Sequence, residues 1–191
     1  MEKVEINKNM KLSEHFTLGE MCKTKHVTAD GNIPSRVVIE NLIRVCGWLE
    51  ELRVLAGVRP QSEVCAGVRP QSKVAGDCTL APDPGAAPEL GAAPSARKEV
   101  PIVINSGYRS PEVNRLAGGA ANSNHLSGCA VDIRCAGKEQ MIRYASILLD
   151  IADGSKQEYD ELLLEQHGSV CWLHFAVRPK ENRRIIRFLR V

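Results

Sequence analysis

Apolar residues recur along "IPSRVVIENLIRVCGWLEELRVL" (33–55) at Val38, Leu42, Val45, Leu49 and Leu52. The alternating spacings of four and three put these on one stripe and predict a long helix over 34–55 that packs through one face. Pro34 suits its first turn. A shorter helix start comes before it. Thr17 reads as an N-cap with Glu20 at N3, a capping box, while Phe16 and Met21 stand at the two ends of a hydrophobic staple. Further on, Ile142, Ala145, Leu149 and Ala152 mark a helix over 138–152. Elsewhere the period falls to two. Val100–Ile104, "CAVDIRC" (129–135), "YDELLLE" (159–165) and "VCWLHFAV" (170–177) predict strands, the last two joined by the turn "QHGS". Ser110-Pro111-Glu112 opens a short helix that Gly118-Gly119 closes, and "RRIIRFLRV" (183–191) predicts a final strand or short helix.

Both patterns break down between 56 and 98. "LAGVRPQSEV" (55–64) is followed at once by its near-duplicate "CAGVRPQSKV" (65–74), and then by a stretch rich in Pro, Gly and Ala. Two copies are too few for a solenoid, and the Pro/Gly/Ala stretch holds too little apolar surface to order itself. Residues 56–98 therefore read as a disordered insertion, with partner binding through its prolines as the alternative use. It separates an N-terminal helical part (1–55) from a core (99–191). The fold class expected is α+β, a small and mainly antiparallel sheet covered by helices.

Composition adds a few exclusions. Hydrophobic content of 43% and charged content of 25% suit an ordinary globular core, and a net charge of +2 gives no general nucleic-acid signal. Arg178, Lys180, Arg183, Arg184, Arg187 and Arg190 crowd the tail, but only Phe188 is interleaved with them. That favours a solvated face, or contact with an anionic polymer, over base stacking, and no nucleic-acid partner is expected. Seven cysteines without a CxxC pair read as reduced thiols. The first residues carry no apolar signal core, and no run is long enough to span a membrane, so synthesis as a soluble cytoplasmic chain, and a monomer, is the expectation.

Strand parity then isolates the chemistry. In "CAVDIRC", Val131 and Ile133 share one face and Ala130, Asp132 and Arg134 the other. In "CWLHFAV", Leu173, Phe175 and Val177 oppose Trp172, His174 and Ala176. If the apolar sets face the core, Asp132 and His174 face a cleft. His125, seven positions before Asp132, joins them if Gly128 lets the backbone turn. Two imidazoles and a carboxylate form a catalytic ligand set for zinc that leaves a position for water, and zinc lowers that water's pKa and polarises a carbonyl. The same parity turns Cys129 and Cys171 away from the site unless a bulge intervenes.

"SGYRSPEVNRLAGGAANSNHLSGCAVDI" followed by "WLHF" resembles the zinc D-alanyl-D-alanine carboxypeptidase family, which includes phage peptidoglycan endopeptidases and is similar in fold to the hedgehog signalling domain. SGYRS, S-x-H-x-x-G-x-A-x-D and W-x-H occur in the family's order, and the likeness extends to the N-terminal helical region. The resemblance implies that His125, Asp132 and His174 bind zinc. It implies that Arg109 anchors or polarises the substrate, as a guanidinium fork suits a carboxylate or peptide carbonyl, with Ser123 nearby. Many relatives carry the catalytic Asp or Glu three residues before the last histidine, where this chain has Cys171. Glu165 is then the base expected, as shorter relatives carry a glutamate at the end of that strand; His167, in the turn, is the second candidate. The function implied is a zinc peptidase acting on peptidoglycan stem peptides or crosslinks in the cell wall or periplasm, at bonds involving D-alanine. The alternative is a wall-peptide-binding module on the same fold that has lost hydrolysis.

Overall fold

A computed structural model describes residues 7–58 and 101–191. The first four residues of the repeat, 55–58, are described; the rest of it, the Pro/Gly/Ala stretch and Val100 lie outside the described residues. The elements in order are α1 (Leu18–Met21), α2 (Arg36–Val58), β1 (Ile104–Ser106), α3 (Pro111–Leu116), β2 (Ala130–Cys135), α4 (Lys138–Ser155), β3 (Glu161–His167), β4 (Val170–Ala176) and β5 (Ile185–Arg190). The five strands form one sheet in the order β1-β2-β4-β3-β5. Every pairing is antiparallel except β3 with β5. The fold is α+β, as the periodicity predicts.

The α1 capping box forms in full, and Phe16 and Met21 are both buried in the core. Helix α2 differs at both ends from the sequence expectation. It begins at Arg36, because Ser35 takes the cap: its hydroxyl accepts from the Val38 amide (3.4 Å) and its carbonyl from the Ile39 amide (3.0 Å). Pro34 precedes the helix rather than opening it. At the other end α2 runs on to Val58, past the expected start of the insertion. Its predicted stripe, Val38, Leu42, Val45, Leu49 and Leu52, is buried throughout.

Helix α4 buries a different and wider stripe than the one read from the sequence. Met141, Tyr144, Ala145, Ile147, Leu148, Ile151 and Ala152 face inward, and Ile142 is 46% exposed. The helix packs on the sheet and on α2 together, so two adjacent rows of side chains are covered instead of one. Strand β1 also starts later than expected, at Ile104.

Helices α2 and α4 cover one face of the sheet. Phe175 stands at the centre of the packing, with its ring 5.2 Å from Trp48 on α2 and 6.4 Å from Tyr159. Residues from Leu12 through Val177 belong to a single core. Cys22, Cys46, Cys129, Cys135 and Cys171 are all free thiols, and burial pushes Cys22, Cys46 and Cys135 up to about 12, so these three stay protonated.

Candidate metal centre

The opposite face of the sheet carries the polar residues. The β2–β4 register sets Asp132 directly across from His174, between the neighbouring pairs Val131–Phe175 and Ile133–Leu173. Those four apolar residues are fully buried against the helices, so the pleat turns Asp132 and His174 the other way. His125 arrives from a single 3₁₀ turn, Asn124–Ser127. The Ser123 hydroxyl accepts from the His125 amide (3.3 Å), and Gly128 ends the turn at a φ of +70°. A side chain at 128 would meet the Val38 backbone oxygen of α2 at 2.8 Å, so glycine is needed there for packing as well as for conformation.

Three ligand atoms converge as a result. His125 Nε2 lies 3.2 Å and His174 Nδ1 2.9 Å from Asp132 Oδ1. One donor atom from each of the three residues lies within 4.8 Å of the others, and all three residues are buried. The far ring nitrogens are held too. His125 Nδ1 is 2.6 Å from the Gly107 carbonyl, and His174 Nε2 is 3.6 Å from Glu161 Oε2. Metal-ligating histidines are oriented by such partners on their second nitrogen. The donor set, its spacing and its outer contacts fit a zinc ion with an open position.

The surrounding charges are tightly coupled. Burial works to raise the Asp132 carboxyl, but His125 and His174 hold it well below the usual carboxylate range. Burial works to discharge His174, yet Asp132 and Glu161 on its two nitrogens raise it to about 9 in the metal-free protein. Arg109 donates from Nη2 to the other Asp132 oxygen and from Nε to Ser106 Oγ (2.7 Å). Arg109 is therefore tied to the ligand carboxylate at the edge of the cleft.

A cleft of about 500 Å³ opens over these groups, and Glu165, Glu161, Trp172, Ser123 and Arg109 are among the residues that line it. Glu165 on β3 pairs with Trp172, one diagonal step from His174 on the same face. Burial raises its carboxyl above the ordinary value, with His174 pulling the other way. Cys171, three residues before His174, sits on the helix side of β4 and is 3% exposed. In this register that position cannot present a base to the cleft. His167 is exposed at the end of β3 and does not line the cleft.

Sequence reasoning missed one network. Asp160 is fully buried and takes Arg183 through Nε (2.8 Å) and Nη2 (2.6 Å), Arg178 Nε (3.1 Å) and Asn124 Nδ2 (2.8 Å). Asn124 and Arg183 also hold Glu161, at 2.8 and 2.7 Å. Two of the tail arginines are thus ion-paired next to the site instead of forming a solvated face. Parity placed Glu161 beside Glu165, but its contact with His174 carried no separate sequence signal.

A family model described as Peptidase M15 matches residues 90–156. Over that stretch, about a third of the chain, the sequence is similar to M15 peptidases. The match takes in Arg109, Ser123, His125 and Asp132 and stops before Glu161, Glu165 and His174. The M15 likeness thus accounts for two of the three donors, and the β2–β4 pairing delivers the third. No curated protein matches the chain. Among the described residues, no helix is long and apolar enough to cross a membrane.

Proposed function

We propose that this M15 protein is a zinc metallopeptidase that hydrolyses amide bonds of peptidoglycan stem peptides or crosslinks, at bonds involving D-alanine, in the cell wall or periplasm. The observation that carries this reading is the convergence of His125 Nε2, Asp132 Oδ1 and His174 Nδ1 in a cleft that also contains Glu165. Held by those three residues, zinc would supply Lewis acidity toward the scissile carbonyl and toward water. Glu165 is the base: it takes a proton from the attacking water and passes it to the leaving amine. Its raised pKa suits both halves of that task. Arg109 offers guanidinium donors to the substrate carbonyl or carboxylate, with its orientation fixed by Ser106 and Asp132. Ser123 contributes mainly by capping the turn that carries His125.

Metal analysis of protein purified without added metal tests the ligand set. Wild type should carry stoichiometric zinc, and His125→Ala should lose it; retention of full zinc by that variant would sink the assignment. Incubation with purified peptidoglycan should release new free amines. An intact, zinc-loaded protein that releases none while still binding wall peptides would establish the binding-module alternative.

A further inference from the structure

A second groove of about 570 Å³ adjoins the metal cleft and shares Arg109 with it. Lys23, Lys25 and His26 line it, together with the apolar side chains of Val113 and Leu116 on α3. No carboxylate is among the residues that line it, whereas the metal cleft contains Asp132, Glu161 and Glu165. Arg109 is thus common to a cleft that contains three carboxylates and a groove whose ionised side chains, Lys23, Lys25 and Arg109, are all cationic.

The lysine-bearing loop is built onto the Arg109 segment. Asn32, 3% exposed, donates from Nδ2 to the carbonyls of Cys22 (2.9 Å) and Tyr108 (3.2 Å) and accepts from the Ser110 amide (2.7 Å). The Tyr108 amide donates to the Met21 carbonyl (2.7 Å), and the Ala29 amide to Glu112 on α3 (3.3 Å). One buried side chain therefore ties the backbone just before Lys23 to the two residues that flank Arg109. Two lysines on a segment tied to the site arginine's own segment, in a groove that also offers apolar side chains, suit a peptide carrying a negative group a short way from the bond being cut.

We propose that this groove is a second substrate subsite, which takes a free carboxylate of a peptide whose scissile amide lies at the metal centre. The proposal rests on the peptidase reading above and names what that substrate must carry. Two peptides of one sequence test it, with the carboxylate nearest the scissile bond free in one and amidated in the other. Lys23→Glu/Lys25→Glu should raise KM for the free-carboxylate peptide roughly tenfold, leave kcat alone and hardly touch the amidated peptide. Equal changes for both peptides would overturn the subsite. Calorimetric binding of the uncleaved peptides to Glu165→Gln protein, with and without the two lysine changes, gives a second readout that needs no turnover. If wild type cleaves neither peptide but the lysine changes still weaken binding of the free-carboxylate form selectively, the peptidase reading falls and the groove stands. If no selective weakening appears, the groove falls whatever the cleavage result.

Discussion

The two faces of the sheet are both buried near the metal centre, and for opposite reasons. On the helix side Val131, Ile133, Leu173 and Phe175 are fully buried among apolar neighbours, where removal from water is itself favourable. On the other side Asp132, His125 and His174 are almost as buried, at 7%, 2% and 8% exposure, but burial of such groups costs free energy unless each finds a partner. Here each has one, and the partners are one another, Arg109, Glu161 and the Gly107 carbonyl. Exposure does not separate the two faces; the partner list does. One face holds the fold together, and the other holds reactive groups in a cluster that the fold has to support.

The sharpest way to break this comparison is to change each face alone. Glu165→Gln, on the cleft face, should lower kcat by about 10²- to 10⁴-fold while the thermal midpoint stays near wild type. A variant that keeps its rate would move the proton-transfer role away from Glu165. Leu173→Ala, on the helix face one residue before His174, should cost about 2–5 kcal/mol in denaturant unfolding, yet still bind metal stoichiometrically while folded. Loss of metal from the folded variant would show that the faces are not separable. Asp160→Asn removes a buried carboxylate whose arginine partners are partly exposed, and should cost about 2 kcal/mol. Burial works to raise Asp160, but bonds from Arg183 and Asn124 and the Arg178 charge leave it below the usual range. Its contribution is therefore present above the unfolded carboxylate pKa, near pH 4, and is lost as pH falls through the lower folded value. In Asp160→Asn, the acid-induced loss of stability should be correspondingly shallower.

Two smaller effects concern protons. His174 at about 9 is charged in the metal-free protein at neutral pH and must be neutral to bind a metal. Zinc binding near pH 7 should release about one proton from it, read as a buffer-dependent calorimetric enthalpy, and the release should vanish above pH 9. Absence of any release at pH 7 would show that His174 is already neutral before the metal binds, against the pull of Asp132 and Glu161. Because a base must be ionised, kcat should fall on the acid side as Glu165 takes up a proton; burial raises that carboxyl, and a bound cation beside it would act in the opposite direction. Glu165→Asp should keep such a fall, and Glu165→Gln should lose it along with most of the rate.

What was legible in the sequence was local. Alternation in "AVDI" and "WLHF" fixes which side Asp132 and His174 occupy once the apolar set is assigned to the core, and the register then brings them together. Caps at Thr17 and Ser110 are readable because side chain and backbone lie within a turn of each other. What was not legible depends on distant packing. The inward rows of α4 are selected by α2 and the sheet together, and no window of the α4 sequence contains that information. The Asp160 network joins residues from three segments, because β5 returns parallel to β3 and brings Arg183 back beside Asp160 and Glu161. A run of arginines looks the same in sequence whether water or a buried aspartate receives it.

Gly107 of "SGYRS" has a packing role that its place in the motif does not announce. A Cβ there would lie 2.3 Å from the Met21 carbonyl oxygen, and the glycine's own carbonyl holds His125 Nδ1. Its missing carbon is the space into which the end of α1 fits, two residues before Arg109. For anyone redesigning the protein, the first helical turn is therefore a fixed boundary of the candidate site. Grafting the segment that bears SGYRS, His125 and Asp132 onto another scaffold without α1 would leave out the wall against which Gly107 packs.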